Sequence, residues 1–274
     1  MNKIALADQI LKRIKAEKPS LRSQYENTKD QIGYLVIDNL LPDSVAMEIY
    51  QAFPAADLMI LNKNLREDKY IAVQMDQYAP ILEAVIFAFQ DPRIVDLIKN
   101  ICSIDTLYPD KNLYAGGLSL MQKGQFLNPH IDNSHEKDRK QWRVLNLLYY
   151  VSPGWEAKNG GNLEIWSNGF KEKQITIESL FNRLAIMTTH GASWHSVSPI
   201  LTDSKRTCVS NYYFSDTALR PDDQFHVTSF RGRPEQKIRD LVLQADAVLR
   251  QGIRKIFPKG AVTSDHVYKD PKDS

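Results

Sequence analysis

Cysteine is scarce in this 274-residue chain. Cys102 and Cys208 are the only two, too few for a disulfide framework or a cysteine-rich zinc site. Long apolar runs are missing as well. No window approaches the roughly 20 apolar residues of a transmembrane helix, and residues 1–10 lack the unbroken apolar stretch of a signal peptide. Neither sign of charge dominates: 35 basic residues face 33 acidic ones, a formal net charge of +2. That balance creates no global basic field and gives no reason to expect a nucleic-acid partner. There is no internal repeat, no low-complexity tract and no linker that would force a second domain. These absences lead to the expectation of a soluble, cytoplasmic protein, long enough to bury a full core as one elaborated domain.

What is present reads as helices, then strands, then a helical tail. Ile4, Ile10, Leu11 and Ile14 share one face of a first helix. A short strand is expected at 33–37, and Pro42-Asp43-Ser44 supplies start chemistry for a helix carrying Val45, Ile49 and Phe53. Segments 80–89 and 92–101 read as helices with proline in the first turn. From about residue 112 the pattern changes to strand-like runs at 113–122, 143–151, 162–166, 183–188 and 207–214, separated by Gly-, Pro- and Asn-rich turns. A sandwich or jelly roll follows from that spacing. Beyond Pro234 a helical period returns through Ile238, Leu241, Val242, Ala245, Leu249 and Ile253. The expected organisation is a helical N-terminal support (1–111), a β catalytic core (112–220) and a basic helical C-terminal extension (221–274).

The strongest chemical signal is Asn128-Pro129-His130-Ile131-Asp132-Asn133. Residues two apart in an extended segment project to the same face, so His130 and Asp132 can offer an imidazole and a carboxylate to one metal ion. A second imidazole, His195, arrives 65 positions later in Ser193-Trp194-His195-Ser196-Val197. Two histidines and a carboxylate on one face leave three positions open on an octahedral iron(II), enough for a bidentate co-substrate and oxygen. Alone, His-X-Asp is as readily a strand-end histidine and a turn aspartate. Arg206, 11 positions after His195, is as readily a surface charge beside Lys205. Together the four form a far rarer pattern, in which an arginine on the next strand can grip a carboxylate through two charge-assisted hydrogen bonds.

Residues 113–216 resemble the catalytic core of the 2-oxoglutarate and iron(II)-dependent dioxygenases of the prolyl 4-hydroxylase-like group. The resemblance implies a mainly β fold with flanking helices around a double-stranded β-helix (jelly-roll) core. It also implies His130, Asp132 and His195 as metal ligands, and Arg206 as the residue holding the distal carboxylate of 2-oxoglutarate. The run Arg143-Val144-Leu145-Asn146-Leu147-Leu148-Tyr149-Tyr150-Val151, followed by Trp155 and Gly160-Gly161, is similar to the oxygen-sensing prolyl hydroxylases. That likeness implies that Tyr150 gives its hydroxyl to 2-oxoglutarate and that Leu148 lines the same pocket. Asn146 joins them by strand parity. A plain cross-strand aromatic remains an equal reading of Tyr150. Met121 and Cys208 stand where many members of the group carry tyrosine and serine.

The implied chemistry couples conversion of 2-oxoglutarate and oxygen to oxidation of an unactivated C–H bond, normally to an alcohol. Asp132 argues against a halogenase, whose relatives carry a small residue there. His190 competes with His195 but falls too early for the pattern. His135 reads as a solvated loop histidine, and His226 and His266 have no partners nearby in sequence. Segments 124–133, 137–142 and 152–161 are candidate lids. A small-molecule or glycan substrate is favoured over protein-bound proline.

The C-terminal Arg231, Arg233, Lys237, Arg239, Arg250, Arg254, Lys255 and Lys259 can form the solvated face of a helix packed on its own core. They can also make a weak contact with a membrane surface or acidic partner. Rival readings are a cupin-type metalloprotein, which prefers His-X-His with a nearby glutamate, and a non-catalytic jelly-roll binding module. The sequence does not specify an oligomeric state.

Overall fold

A computed structural model describes residues 1–114, 116–136, 138–256 and 268–269. Five helices flank the strands: α1 (Lys3–Glu26), α2 (Asp43–Ala52), α3 (Pro80–Ala88), α4 (Pro92–Ile101) and α5 (Lys237–Ile256). Asn2 caps α1 by accepting from the Ala5 backbone N–H at 2.9 Å. Pro80 and Pro92 sit in first turns, where a missing N–H leaves no bond unmade. Leu6, Ile10 and Ile14 of α1 are buried with Leu82, Val85 and Ile86 of α3 and Ile94 and Ile98 of α4. Each such side chain is worth about 1.5–3 kcal/mol on burial. Ile4 departs from the expected face: it lies beside the stripe, in the first turn, and is exposed.

The strands are β1 (Tyr34–Ile37), β2 (Ile60–Lys63), β3 (Glu67–Ala72), β4 (Tyr108–Pro109), β5 (Gly117–Met121), β6 (Phe126–Ile131), β7 (Trp142–Tyr150), β8 (Leu163–Ile165), β9 (Ile175–Ile177), β10 (Arg183–Thr188), β11 (His195–Val197), β12 (Arg206–Ser215) and β13 (Ser229–Phe230). They pair antiparallel in the order β1-β10-β7-β12-β5-β3-β6-β11-β8-β9, with β2 on β3, β4 on β12 and β13 on β6. The β2–β3 hairpin lies where the sequence reading expected only helical support. Its residues are charged and only partly buried, so they lack the apolar alternation that marks a strand. Yet β3 joins the two halves of the sheet, pairing with β5 through Tyr70–Ala72 and with β6 through Glu67 and Asp68.

Strand parity separates structure from chemistry. On β7, Leu145, Leu147 and Tyr149 belong to the core shared with the helices, whereas Asn146, Leu148 and Tyr150 face the other way. On β12, Val209 and Tyr213 pack in that core while Arg206, Cys208, Ser210 and Tyr212 line a cavity. The sheet must curl around this cavity. Asn146 on β7 hydrogen-bonds Asp132, just beyond β6, at 2.7 Å, although those strands are four pairings apart. A flat sheet would hold them about 19 Å apart at the usual strand spacing. The result is the expected jelly roll: a mostly antiparallel sheet curled into a half-barrel with helices outside.

Helix α5 reverses the expected packing. Leu243 is buried, but Ile238, Leu241, Val242, Val248 and Leu249 are exposed, while Arg239, Asp240, Asp246, Arg250 and Gln251 turn towards the sheet. Polar pairing draws that face inward. Asp240 takes Arg231 at 2.6 Å, and Asp246 takes both Arg66 and Arg250. Arg233 is likewise held by Glu164 at 2.8 Å. The described basic residues of the C-terminal extension are therefore mostly engaged within the chain, and no basic stripe faces solvent among them. The side chains of Ile253, Arg254 and Lys255, and all of Lys259 and His266, lie outside the described residues. No helix among the described residues is long and apolar enough to cross a membrane.

Candidate metal centre and co-substrate pocket

His130 is the penultimate residue of β6 and His195 opens β11, and the two are direct cross-strand partners. Asp132 follows β6 by one residue. The three side chains are buried, and their ligand atoms lie within 4.8 Å of one another. His130 Nε2 stands 3.8 Å from one Asp132 oxygen and His195 Nε2 3.7 Å from the other. These distances are too long for good hydrogen bonds and suit ligands arranged around a common ion. Each imidazole is aimed by its own backbone: Nδ1 of His130 meets the Asn128 carbonyl at 3.0 Å and Nδ1 of His195 meets the Ser193 carbonyl at 2.9 Å. Donation from both Nδ1 atoms leaves both Nε2 lone pairs free to face the centre. The donor set therefore fits a divalent transition metal.

The carboxylate is held as firmly. Asp132 accepts from Asn146 at 2.7 Å and pairs with buried Arg143 at 3.1 Å. Burial opposes its ionisation, but Arg143, His195, His130 and the Asn146 hydrogen bond outweigh that and hold it below the usual carboxylate range. His130 is pushed down to about 3 by burial and by His195, against the pull of Asp132. A neutral His130 beside an ionised carboxylate fits the protonation states that metal binding requires.

The cluster lines a cavity of about 340 Å³ together with Asn146, Leu148, Met121, Arg206, Cys208 and Tyr212. Arg206 is buried, donating from Nε to Ser179 Oγ at 3.2 Å and stacked over the Tyr150 ring at 4.9 Å. The Tyr150 hydroxyl is buried without a hydrogen-bond partner, and burial pushes its pKa up, so it stays a donor. A guanidinium with a neutral phenol behind it therefore lines the same cavity as the His-Asp-His cluster. Residues 116–214 match the family model of the 2OG-Fe(II) oxygenase superfamily. That segment is similar to the core of the superfamily.

The chain is 28% identical over 97 residues to the prolyl 3-hydroxylase OGFOD1 of Mus musculus, an alignment covering 33% of this chain and 17% of that protein. The chain thus matches about a sixth of that relative's length. Among solved structures, a prolyl-4-hydroxylase from Pseudomonas putida aligns with TM-score 0.54 at 14% identity, over 70% of this chain and 97% of the other. A prolyl 4-hydroxylase from Phytophthora capsici aligns with TM-score 0.55 at 16% identity, over 91% of this chain and 78% of the other. At these identities the likeness is one of fold. Iron(II) and 2-oxoglutarate are the metal and co-substrate of the oxygenase superfamily, and the His-Asp-His cluster is able to hold that metal.

Sequence reasoning missed several residues around the oxygenase centre. Arg143 was read only as a strand start, yet it is the buried counter-charge of Asp132 and stacks on Tyr212 at 4.5 Å. Phe230 on β13 stacks on His130 with ring centroids 5.1 Å apart. Behind His195, Ser196 donates to Glu164 at 2.6 Å, and Trp166 donates to Ser196 at 2.9 Å. Arg233 pairs with the same Glu164. The signal for this network was a charged residue in an apolar strand, Glu164 between Leu163 and Ile165.

Three other expectations change. His135 is not a solvated histidine: it is half-buried, with its ring 4.0 Å from Trp142. His226 has near neighbours, its backbone N–H donating to Ser134 at 2.9 Å. Segment 124–133 is largely β6 rather than a lid, and in 152–161 Trp155 is buried, donating to the Gly160 carbonyl at 2.9 Å. Lys137, in the remaining lid candidate, lies outside the described residues.

His190 stands apart from the metal cluster and has a structural role. Its Nδ1 accepts from the Ala192 N–H at 3.1 Å, so Nε2 donates to the Gln31 carbonyl at 3.0 Å, and burial lowers its pKa from 6.5 to about 4. A lowered folded-state pKa gives stability that is complete above the unfolded value and lost as pH falls from about 6.5 towards 4. Between pH 7.5 and 5 the wild type should lose about 2 kcal/mol more than His190→Gln. Urea unfolding of both proteins at the two pH values measures this difference; equal losses would remove His190 from the pH response.

Proposed function

We propose that the chain is an iron(II)- and 2-oxoglutarate-dependent hydroxylase in which His130, Asp132 and His195 ligate the iron. Arg206, backed by Tyr150, holds the distal carboxylate of 2-oxoglutarate, and Leu148 covers the chain between the two ends. Asn146 acts mainly as a positioning residue through its hydrogen bond to Asp132. The observation that carries this reading is one cavity lined by both the buried His-Asp-His cluster and the buried Arg206. Bound there, iron(II) and 2-oxoglutarate would supply, with molecular oxygen, the means to oxidise an unactivated C–H bond: one oxygen atom would go to succinate and the other to the substrate, with loss of carbon dioxide. The protein's part is to keep both imidazoles aimed and His130 neutral, to hold Asp132 ionised, and to exclude bulk water with Leu148 and its apolar neighbours.

A small-molecule or glycan-type substrate is favoured because Arg250 of α5 contributes to the cavity lining, so the helix narrows one side of the entrance. Peptidyl proline is the second reading, favoured by the prolyl hydroxylase to which residues of the core are similar. Anaerobic addition of iron(II) and 2-oxoglutarate should produce the visible metal-to-ligand band of the chelate. His195→Ala should lose the band, and Arg206→Ala should weaken 2-oxoglutarate binding by about 10- to 100-fold, the loss of a charge-assisted contact. Succinate release with panels of small molecules, glycans and proline peptides then separates the substrate classes. A wild type that binds metal but gives no band would return the chain to the cupin or binding-module reading.

A further inference from the structure

The entrance to the metal cavity carries a cationic group that the reading above does not use. Arg66, in the β2–β3 turn, and Arg250, on α5, both line the cavity that holds His130, Asp132 and His195. They share a single carboxylate: Asp246 accepts from Arg66 Nε at 3.1 Å and from Arg250 Nε at 3.0 Å. Lys69 lines the same entrance and is matched by Glu67 at 2.9 Å. Three cations therefore meet two carboxylates.

The imbalance falls on Arg250. Its Nη2 is buried without a hydrogen-bond partner. Burial and the neighbouring Arg66 lower its pKa, with only Asp246 opposing them. An arginine does not give up its proton in such a place, so the free energy is relieved by a second anion. Two guanidiniums converging from separate elements suit the oxygens of a carboxylate, phosphate or sulfate ester, which planar guanidinium groups bind through paired hydrogen bonds.

We propose that Arg66 and Arg250 form the substrate-recognition site for an oxyanion, so that the substrate is an acidic molecule whose reacting carbon points inward to the metal cluster. This rests on the oxygenase reading for its chemistry, though the anion site itself does not. It also accounts for the reversed packing of α5, whose polar face completes the entrance. Asp246 acts as a place-holder that orients both arginines until the oxyanion arrives.

Inorganic phosphate is the probe. Its binding to the full chain is measured by calorimetry, without metal and with manganese(II) and 2-oxoglutarate. Proximity to the metal is measured by the paramagnetic relaxation of the phosphate ³¹P signal. Phosphate should bind, and its signal should be relaxed by manganese(II). Arg250→Gln and Arg66→Gln should each weaken binding by about tenfold or more, and Arg250→Lys should restore part of it. Asp246→Asn should tighten binding, because it removes the competing carboxylate; a pair that merely clamps α5 predicts no gain.

No phosphate binding, or equal binding in Arg250→Gln that retains wild-type circular dichroism, overturns the proposal. Binding without relaxation while the manganese–2-oxoglutarate complex forms also overturns it, by placing the anion elsewhere. Arg250-dependent binding in a chain that forms no such complex would keep the anion site and remove the oxygenase reading.

Discussion

Asp132→Ala is expected to abolish the iron(II)–2-oxoglutarate absorption band and to reduce 2-oxoglutarate turnover by about a thousandfold or more. Asp132 is the one anionic ligand of the cluster, and its two oxygens face the two imidazoles at 3.8 and 3.7 Å. Removing it has a second cost. Arg143, almost fully buried, would lose its only ion-pair partner among the described residues, and an uncompensated buried charge typically costs about 3–5 kcal/mol. Loss of activity in the alanine variant could therefore reflect loss of fold. Asp132→Asn lessens the second cost, because it keeps the shape and one oxygen for Arg143 to donate to, although its amide nitrogen then faces Asn146 and the Arg143 charge stays unneutralised. The expected pattern is a smaller fall in melting temperature for Asp132→Asn than for Asp132→Ala, with the band absent in both variants. Full turnover in Asp132→Ala would sink the ligand assignment.

Gly160→Ala is expected to be the most damaging single-methyl change away from the metal. Gly160 has φ 72° and ψ −159°, a region essentially reserved for glycine. A Cβ there would stand 1.9 Å from the backbone oxygen of Pro199, and backbone cannot rotate out of the way as a flexible side chain can. Gly160 also bridges to Ile200 and accepts from buried Trp155, so a shift would pull the turn off the Met121–Trp155–Val197–Ile200 cluster. Backbone strain and clash together should exceed about 4 kcal/mol. For a domain of this size that is a fall of about 10 °C or more in melting temperature, or insoluble expression. Differential scanning calorimetry of Gly160→Ala beside Gly154→Ala gives the comparison, since Gly154 also has positive φ but has open space where its Cβ would be. Equal falls in the two variants would show that the backbone angle, and not the Pro199 contact, sets the cost.

How much of this was legible in the sequence depends on where each residue's partners lie. His130 and Asp132 were legible because a two-residue spacing on a strand is a local rule. His195 and Arg206 followed from order along the chain and from resemblance. The strands of the core were legible because Leu145, Leu147 and Tyr149 alternate with a second face. Arg143 and Glu164 were not, because their meaning depends on Asp132 and Arg233, 11 and 69 positions away. The β2–β3 hairpin was missed because charged, half-exposed residues hide its period. Helix α5 was placed correctly as a helix but turned the wrong way: apolar periodicity identifies a helical face but does not say which face meets the protein. There the pairing of Asp240 and Asp246 with arginines decides the orientation.

The two-sided character of β7 has one further consequence. From Leu145 to Tyr150 its odd residues are cemented into the helix-covered core, and its even residues turn to the cavity side. The strand therefore behaves like a reading frame. A substitution changes one letter, on one side, and its neighbours keep their places. A single-residue insertion or deletion exchanges the two sides over its whole length, delivering Asn146 and Tyr150 to oil and Leu147 to the active centre. Variation in this protein should therefore be tolerated along β7 as replacement, and as changed length only in the loops beyond Tyr150.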